Sequence, residues 1–519
     1  MKWYLTGVGI VLLVILGALL LLRHSLPQRR RGDSAQDRIT SSASGLWWDE
    51  ETAVAWSAFG IPSHDKWLGF VQEVGTTICD RGVFYDGSSS RSGRERVAEY
   101  YHSKGLRVTS FFSIEKWKPV DESVQRLIGQ MQGQLDDGCD GVHLDMLFAV
   151  EEPRKNVDQS DAAARAVEQM RDAVHSYRRD APVMFAGNSW VLDTPFALLV
   201  ATLCDVAWIE SWGRSDLELV RIARVARSLG GYRKPAWYHW QPHHNEQSRV
   251  TGLMNLPKAL YASCLLEGAV FLCNYQYPVP LVTQPTSGDA VTEWRMFEIN
   301  DSWRQSVLQY ARFAKEHGHR FREAQPMAPV LVAFKPGDVR QANRIMRDLL
   351  RAQAVFNVAV GGKWPLTMID ADDLRGYPAV VTPDVPWIKQ TRTEGVYGSA
   401  AELMAVADPR ILEFCRVQGN PKVIVRIYEA KSQMLIGLKQ YGYAESVDGM
   451  SVIGPFVVSL YCPERITSAI CYSPDRPGHA KLAVSQEGPK TEIIVPKLEY
   501  FNLIVLDLQE ATSTGTEPR

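Results

Sequence analysis

The sequence has no excess of basic charge and no regular cysteine motif. Its 519 residues include 57 Lys and Arg against 59 Asp and Glu, for a formal net charge of −2. Proteins that bind nucleic acid normally show a positive surface field, so this balance argues against a nucleic-acid partner. The 8 cysteines form no CxxC pair and no zinc spacing. No metal site is therefore predicted.

A glycine-rich phosphate loop is also missing after the early strand-like segments. Its absence weakens the case for a doubly wound open sheet, which stays the alternative to the fold predicted below. No cofactor is predicted. Aromatic residues, by contrast, are abundant, with 15 Trp and 19 Tyr. Aromatic faces stack on the apolar C–H faces of sugars, although most aromatic residues fill cores.

A long apolar run without charged residues lies at the amino terminus, over Tyr4–Leu22. At 1.5 Å per residue, a helix of this length just crosses the hydrocarbon core of a bilayer. The run predicts a single-pass transmembrane anchor over residues 1–23, followed by a flexible polar tether over residues 24–44. A cleaved signal peptide is the other interpretation.

From residue 45 onward, short apolar runs alternate with amphipathic stretches, which is typical of a parallel sheet. Residues 45–325 accommodate eight such units and predict a (β/α)8 TIM barrel, a fold of about 250 residues. Its strands are predicted at 46–48, 82–86, 107–112, 141–145, 182–188, 205–210, 235–240 and 269–274. A helix over Trp294–Glu316 is expected to close the barrel domain.

Two further domains are predicted after the barrel. Residues 326–425 combine strand-like runs with an amphipathic helix over Asp338–Ala352, the pattern of a small flavodoxin-like α/β domain. Residues 426–510 show period-two, β-branched patterning and predict a compact β domain. Residues 511–519 form a polar tail.

Carboxylates end two of the predicted barrel strands. The carboxyl ends of the strands form the active mouth of a TIM barrel. Because side chains alternate along a strand, His143 and Asp145 share the inner face of the fourth strand, while Val142 and Leu144 face the helices. The same alternation puts Glu210 on the inner face of the sixth strand.

Cleavage of a glycosidic bond normally needs two carboxyl groups across the sugar. Asp145 and Glu210 are the predicted catalytic pair, and the sequence does not choose between retention and inversion. A strand-end Asp also serves elsewhere as a helix cap, so the prediction depends on several polar strand ends beside tryptophans. The residues predicted to bind substrate are Asp86, His143, Asn188, Trp190, Trp212, His239, Trp240 and Asn274.

The run Asp140–Asp145 resembles the fourth-strand motif of several barrel glycoside hydrolases, in which the terminal Asp or Glu is catalytic. The succession of Asp86, Asp145, Asn188 and Glu210 is similar to that of a hypothetical glycosyl hydrolase family. The resemblance implies a glycoside hydrolase-like enzyme acting on an oligo- or polysaccharide, and the apolar run at the amino terminus predicts that it is membrane-tethered. The alternatives are a non-catalytic carbohydrate-binding barrel of an envelope polysaccharide system and a barrel isomerase, which would call for a phosphate or metal site.

Residues 327–425 resemble the middle domain of family 42 β-galactosidases. That domain has a class I glutamine-amidotransferase-like fold and supports trimer formation there, so the resemblance implies a homo-oligomer. Family 42 enzymes use two Glu on other strands, and their substrate is therefore not carried over. An amidotransferase needs a Cys on a tight turn, whereas Cys415 is predicted inside a helix; a structural or oligomerising role without glutaminase activity is expected.

Two arguments about membrane orientation oppose each other. The arginines at 23 and 29–31 would keep the body in the cytoplasm under the positive-inside rule. Lys2 ahead of an apolar run is instead typical of an export signal, and long domains translocate largely regardless of charge. We expect an extracytoplasmic body, because glycans for a tethered hydrolase lie mainly outside the cytoplasm.

Overall fold

The computed structural model describes the body of the chain with short gaps. The described residues are 46–48, 54–56, 64–85, 90–113, 121–145, 157–186, 194–212, 215–229, 231–232, 234–241, 253–274, 276–283, 291–298, 301–362, 365–366, 368–406, 408–420 and 422–509. The predicted anchor, tether and tail lie outside them. Within these ranges, no helix combines the length and the apolar character that a membrane span requires.

Parallel strands close into a barrel in the first part of the body. The strands are β1 (Val54–Trp56), β2 (Ile78–Tyr85), β3 (Arg107–Ser113), β4 (Val142–Asp145), β5 (Val183–Ala186), β6 (Ala207–Trp212), β7 (Ala236–Gln241) and β8 (Val270–Asn274). Consecutive strands are neighbours, and β8 pairs with β1. A parallel bridge between Met184 and Val206 joins β5 to β6. The circle is therefore complete, as in a TIM barrel, and a doubly wound open sheet is excluded.

Helices follow the barrel strands. They are α1 (His64–Val74), α2 (Arg91–Ser103), α3 (Asp121–Asp136), α4 (Val157–Tyr177), α5 (Pro195–Leu203), α6 (Asp216–Ser228), α7 (Leu256–Leu266) and α8 (Asp301–Glu323). The outer faces of the strands are apolar because these helices cover them. Val142 and Leu144, for example, are buried in one cluster with Leu127 of α3 and Val167 of α4, which confirms the predicted alternation along β4.

Two predicted barrel elements are wrong. The first strand is Val54–Trp56 rather than 46–48; Trp48 instead is buried with apolar residues of the barrel interior. The predicted helix over Trp294–Glu316 begins only at Asp301, because the residues before it form a strand. That strand, β10 (Val291–Glu298), pairs antiparallel with β9 (Gln276–Thr283). A cross-strand partner outweighs local helical periodicity here.

The α/β region has a parallel four-stranded sheet in the order β13–β12–β14–β15. Its strands are β12 (Val330–Phe334), β13 (Phe356–Val360), β14 (Ala379–Val381) and β15 (Val396–Tyr397), and its helices are α9 (Val339–Arg351), α10 (Ala371–Arg375), α11 (Val385–Lys389), α12 (Ala400–Val406) and α13 (Pro409–Leu412). Val332 packs in a cluster with Met346 of α9. Leu331 packs on the other face with Ile388 of α11. Helices thus cover both faces of the sheet.

Two antiparallel sheets form a β-sandwich, whose first strand precedes the α/β region and whose other strands follow it. The strand orders are β11–β17–β18–β24–β20–β21 and β16–β19–β23–β22. Their strands are β11 (Gln325–Met327), β16 (Cys415–Val417), β17 (Val423–Ala430), β18 (Gln433–Gln440), β19 (Phe456–Tyr461), β20 (Ile466–Tyr472), β21 (His479–Lys481), β22 (Ala483–Glu487), β23 (Lys490–Val495) and β24 (Phe501–Leu508). The larger sheet also packs on the barrel: Phe501 meets Phe313 of α8 with ring centroids 5.9 Å apart.

Cys415 lies in a strand, so the predicted helix around it is wrong. It begins β16 and pairs with Leu460 of β19. Burial raises the pKa of its thiol to about 12. A buried thiol with a raised pKa is a poor nucleophile, which favours a structural role for this residue.

A buried ion network, the junction network (Arg224, Glu267 and Arg426), joins the three regions of the body. Arg224 of α6 donates from Nε (2.9 Å) and Nη2 (2.6 Å) to Oε1 of Glu267, which follows α7. Arg426 of β17 places Nε 3.4 Å from Oε2 of the same carboxylate. All three side chains have 0% exposure. Barrel and sandwich therefore share one buried carboxylate.

The α/β sheet joins this network through β13. Arg426 donates from Nη1 to the Phe356 carbonyl at 2.7 Å and to Asn357 Oδ1 at 2.8 Å. Its guanidinium also lies over the rings of Tyr232 and Tyr428, at 5.3 and 5.5 Å. Burial lowers the pKa of Arg426, but Glu267 and Tyr428 outweigh burial and leave that pKa above its ordinary value.

A buried carboxylate in the loop after β20 gives the body a pH-dependent stability. Asp475 accepts from Tyr310 Oη at 2.9 Å and from the Tyr500 amide at 3.2 Å. Burial raises the pKa of Asp475 from 3.8 to about 6. The folded protein therefore retains this proton up to about pH 6, whereas the unfolded chain loses it near pH 4. Stability is accordingly lost as the pH rises through this window.

Asp475→Asn is expected to raise the free energy of unfolding by about 2–3 kcal/mol at pH 7.5 and by only about 1 kcal/mol at pH 4.5. The amide keeps a hydrogen-bonding group in place and cannot ionise. Urea unfolding at both pH values measures the difference. Asp180→Asn is the control, because Asp180 is 58% exposed. A difference between Asp475→Asn and the parent that is the same at both pH values contradicts the assignment.

Candidate active site

The predicted catalytic carboxylates occupy carboxyl-terminal positions of two barrel strands. Asp145 is the last residue of β4, in register with Ser113 of β3 and Ala186 of β5. Glu210 lies in β6, in register with His239 of β7. The structure describes the backbone of Asp145 and Glu210. Both positions therefore lie at the end of the barrel where TIM-barrel active sites form.

Beneath these positions the barrel contains the inner polar layer, defined here as Asp80, Thr109, His143, Trp208 and His239. Nδ1 of His143 lies 3.0 Å from Oδ1 and 3.2 Å from Oδ2 of Asp80. Thr109 donates from Oγ1 to Oδ1 of Asp80 at 2.5 Å. The three residues are fully buried. The carboxylate thus ties β2, β3 and β4 together inside the barrel.

Contacts between aromatic rings extend the inner polar layer across the barrel interior. Trp208 of β6 meets the His143 ring edge-on, with centroids 4.5 Å apart. The Trp208 ring also lies near the ring of His239 of β7, with centroids 5.7 Å apart. Since His143 belongs to β4, this row of rings spans the interior between strands that are not adjacent. It holds the backbone beneath the rim in a fixed arrangement.

Apolar and polar residues occupy different levels of the barrel interior along the barrel axis. Ile78, Val206 and Trp237 each precede a member of the layer by two residues, and all three are buried in an apolar interior cluster. Residues two apart on a strand share a face, so apolar residues fill the amino-terminal part of the interior. Polar groups begin one layer below the carboxyl ends of the strands. A buried polar layer costs stability unless it is hydrogen-bonded, and here it lies directly below the expected mouth.

Asp80 was not among the residues that the sequence analysis selected. It lies where β2 bulges: Cys79 pairs with Val108, whereas Val83 pairs with Ser110. The segment of β2 between these pairs contains two more residues than the facing segment of β3. Bulges are common next to active sites, where they redirect side chains. The available sequence signal was a charged residue directly after the apolar pair Ile78 and Cys79.

The remaining predicted site residues divide into three groups. Asp86, Asn188 and Trp190 lie outside the described residues. The backbones of Trp212, Trp240 and Asn274 are described, at or near the carboxyl ends of β6, β7 and β8. His143 and His239 are described fully and both are buried in the inner polar layer. The structure thus brings strand-end positions from β4, β6, β7 and β8 to one end of the barrel.

Metal binding has no support in the part of the chain that the structure describes. No group of three or more His, Cys, Asp or Glu side chains there is arranged to hold an ion. The histidine–aspartate contact inside the barrel involves two residues from different strands, which is short of a tetrahedral site.

Solved structures with a similar fold include glycoside hydrolases. An α-L-fucosidase, isoenzyme 2 from Paenibacillus thiaminolyticus, aligns over 89% of this chain and 100% of its own, at 11% identity and a TM-score of 0.60. A catalytic mutant of a GH42 β-galactosidase from G. stearothermophilus aligns over 85% of this chain and 95% of its own, at 8% identity and a TM-score of 0.52. No protein-family model and no curated protein sequence matches the chain.

At these identities the likeness concerns the fold alone. It extends over nearly the whole length of the similar structures and thus includes more than the barrel. Barrel strands, parallel α/β sheet and β-rich carboxyl-terminal region occur here in one chain. The protein has a glycoside-hydrolase-like fold of mixed α/β class, with a TIM-type barrel followed by a β-rich region.

Proposed function

We propose that the protein is a glycoside hydrolase that cleaves an oligo- or polysaccharide, with Asp145 and Glu210 as its carboxyl pair. The observation that carries the proposal is their position: Asp145 ends β4 and Glu210 lies in the carboxyl-terminal half of β6, each two residues beyond a member of the inner polar layer. Functional groups of TIM barrels cluster at this end. The similarity to glycosidases that act on different sugars supports the reaction class without indicating the sugar.

In the proposed reaction one of the two carboxyl groups is protonated and donates its proton to the glycosidic oxygen as the C–O bond breaks. The other is ionised. It either attacks the anomeric carbon, forming a glycosyl-enzyme that water then hydrolyses, or removes a proton from the attacking water. A separation of about 5–5.5 Å favours the first route and about 6.5–9.5 Å the second.

The inner polar layer contributes by positioning. Asp80 holds the His143 ring, and His143 lies two residues before Asp145 on the same strand. Fixing β4 from inside the barrel limits the motion of its last residue. Catalytic groups need placement within about 0.5 Å, and second-layer hydrogen bonds provide such placement.

A hydrolysis screen with the purified full chain tests the proposal. Incubation with a panel of oligo- and polysaccharides is expected to release new reducing ends from at least one of them. Binding of a glycan without any product would favour the alternative of a non-catalytic carbohydrate-binding barrel. Asp145→Asn distinguishes enzyme from contaminant, because a contaminating activity would survive the substitution.

We further propose that residues 4–22 anchor the protein in a membrane and that the body lies outside the cytoplasm. The apolar length of the run supports the anchor. The extracytoplasmic abundance of glycans supports the orientation, and long domains translocate largely regardless of flanking charge. Two reporter fusions at Gly45 test it, one active only outside the cytoplasm and the other only inside. Activity of the inside reporter alone would reverse the orientation and direct the substrate search to cytoplasmic saccharides.

A further inference from the structure

A cavity between the barrel and the α/β region is lined largely by polar side chains. Its volume is about 320 Å³, within the range of small-molecule sites. One wall is the first part of α6 and the other is one side of α9. The polar lining residues are Ser215, Glu218, Arg221, Asn343, Arg347 and Arg351.

The lining carries more positive than negative charge. Arg221, Arg347 and Arg351 face one carboxylate, Glu218. Arg221 binds that carboxylate closely, from Nε at 3.0 Å and Nη2 at 2.9 Å. Arg347 lies farther away, with Nε 3.4 Å from Glu218 Oε1. Because Arg221 balances most of the Glu218 charge, the two arginines of α9 leave the cavity positive.

Arg221 is held in place although it is almost completely buried, at 1% exposure. In addition to Glu218 it contacts Asn343, whose Oδ1 accepts from Nη1 at 2.5 Å. Arg351 has a partner outside the cavity, Asp348, at 3.8 Å, and both side chains are more than 60% exposed. Water screens an exposed contact of this kind, so the positive charge of Arg351 stays available.

The cavity lies near the end of the barrel where Glu210 is positioned. Chain connectivity limits the distance: Trp212 ends β6 and Ser215 precedes α6. Consecutive Cα atoms are about 3.8 Å apart, so Trp212 and Ser215 are at most about 11 Å apart, and Glu210 and Ser215 at most about 19 Å. Ser215, at the edge of the cavity, thus lies within the length of a short oligosaccharide from Glu210.

We propose that this cavity binds an oxyanion group of the saccharide, so that the substrate is an acidic glycan carrying carboxylate, sulfate or phosphate groups. This inference rests on the proposed hydrolase function. Arginine forks bind planar and tetrahedral oxyanions with paired, charge-assisted hydrogen bonds. A neutral glycan would leave Glu218 as the one counter-charge for the three arginines that line the cavity. The cavity arginines thus favour acidic glycans by their charge, independently of the residues that cleave the glycosidic bond.

Binding measurements on the full chain test the inference with matched probes. One pair is oligogalacturonate and its neutral methyl ester; the other is a sulfated galactan and its desulfated form. Inorganic sulfate, added against chloride at constant ionic strength, is the probe for an isolated ion. We expect at least one acidic member to bind about tenfold more tightly than its neutral counterpart.

Substitutions of arginines on α9 test whether the preference for acidic glycans arises in the cavity. Arg347→Gln with Arg351→Gln is expected to remove this preference, a loss of about tenfold. Arg340→Gln with Arg344→Gln is the matched control, since both arginines are exposed on the same helix and do not line the cavity. That variant should stay within about twofold of the parent.

Three outcomes overturn the inference: equal binding of acidic and neutral members, an unchanged preference in the Arg347/Arg351 variant, and binding of inorganic sulfate without binding of any acidic glycan. Hydrolysis of the same glycans separates this inference from the proposed function. A bound acidic glycan that is never cleaved contradicts the hydrolase and leaves the cavity assignment standing. Cleavage without any preference for acidic glycans contradicts the cavity assignment alone.

Discussion

Asp145→Asn is expected to lower turnover by about 10²–10⁴-fold, and Glu210→Gln by a similar factor, because each removes a group that donates or accepts a proton in the transition state. Both substitutions preserve side-chain shape. The free energy of unfolding should therefore change by less than about 0.5 kcal/mol. Initial rates on a glycan identified by the screen and urea unfolding of each variant measure the two effects separately.

The pH dependence of the parent enzyme and of the two variants assigns the roles. A base or nucleophile must be ionised, so activity rises with pH through its pKa. An acid must be protonated, so activity falls above its pKa. Each substitution should abolish one limb of the profile, and the limb that Asp145→Asn removes identifies the role of Asp145. Full activity of both variants on the true substrate would show that the pair is wrongly assigned.

Asp80→Asn provides a contrasting case. Asp80 is buried, accepts from Thr109 and contacts His143. The amide replaces one carboxyl oxygen with a donor group, so the substitution should destabilise the fold by about 1–3 kcal/mol, because buried partners lose an acceptor. Any effect on turnover would act through the position of β4 and should leave both limbs of the pH profile in place. A positioning residue and a catalytic carboxylate thus differ in two independent measurements.

The barrel was predictable where strand and helix signals were local. The strands that contain Asp145 and Glu210 follow from apolar runs between turn residues. The first strand was misplaced because β1 has only three residues and depends on its pairing with β2 and β8. Cys415 was misplaced for a similar reason, since its strand is determined by β19, more than 40 residues later in the sequence. Non-local pairing is not visible in a local pattern.

The candidate site likewise contains residues that local sequence patterns predict and residues that depend on non-local pairing. Strand-end carboxylates can be predicted, since alternation and chain direction suffice to select Asp145 and Glu210. Asp80 could not be chosen in this way, because its position depends on a bulge defined only by pairing with β3. The cavity arginines could not be selected from the sequence either. Arg221 and Arg347 belong to helices of different regions, and only the packing of α9 on α6 brings them together.

The packing of the barrel, the α/β region and the sandwich depends on the buried carboxylate of Glu267, which pairs with arginines from two of these regions. In the junction network Glu267 lies between Arg224 of the barrel and Arg426 of the sandwich. Each arginine would be an uncompensated buried cation if the domains separated incompletely or packed differently. Such a network adds little to stability compared with an apolar core, but it penalises wrong arrangements strongly. We infer that it fixes how the sandwich and the α/β sheet sit on the barrel.

Glu267→Gln is therefore expected to lower the free energy of unfolding by about 3–5 kcal/mol, the usual cost of leaving a buried charge unpaired. The amide preserves the shape, so loss of packing contributes little. Urea unfolding followed by tryptophan fluorescence and by far-UV circular dichroism measures the loss. The two transitions should coincide in the parent and separate in the variant, since the regions no longer share their buried ion network. Glu95→Gln is the control, because the Arg91–Glu95 pair on α2 is 66% and 40% exposed and its loss should cost less than about 1 kcal/mol. Equal losses in the two variants would mean that the Glu267 charge does not hold the regions together.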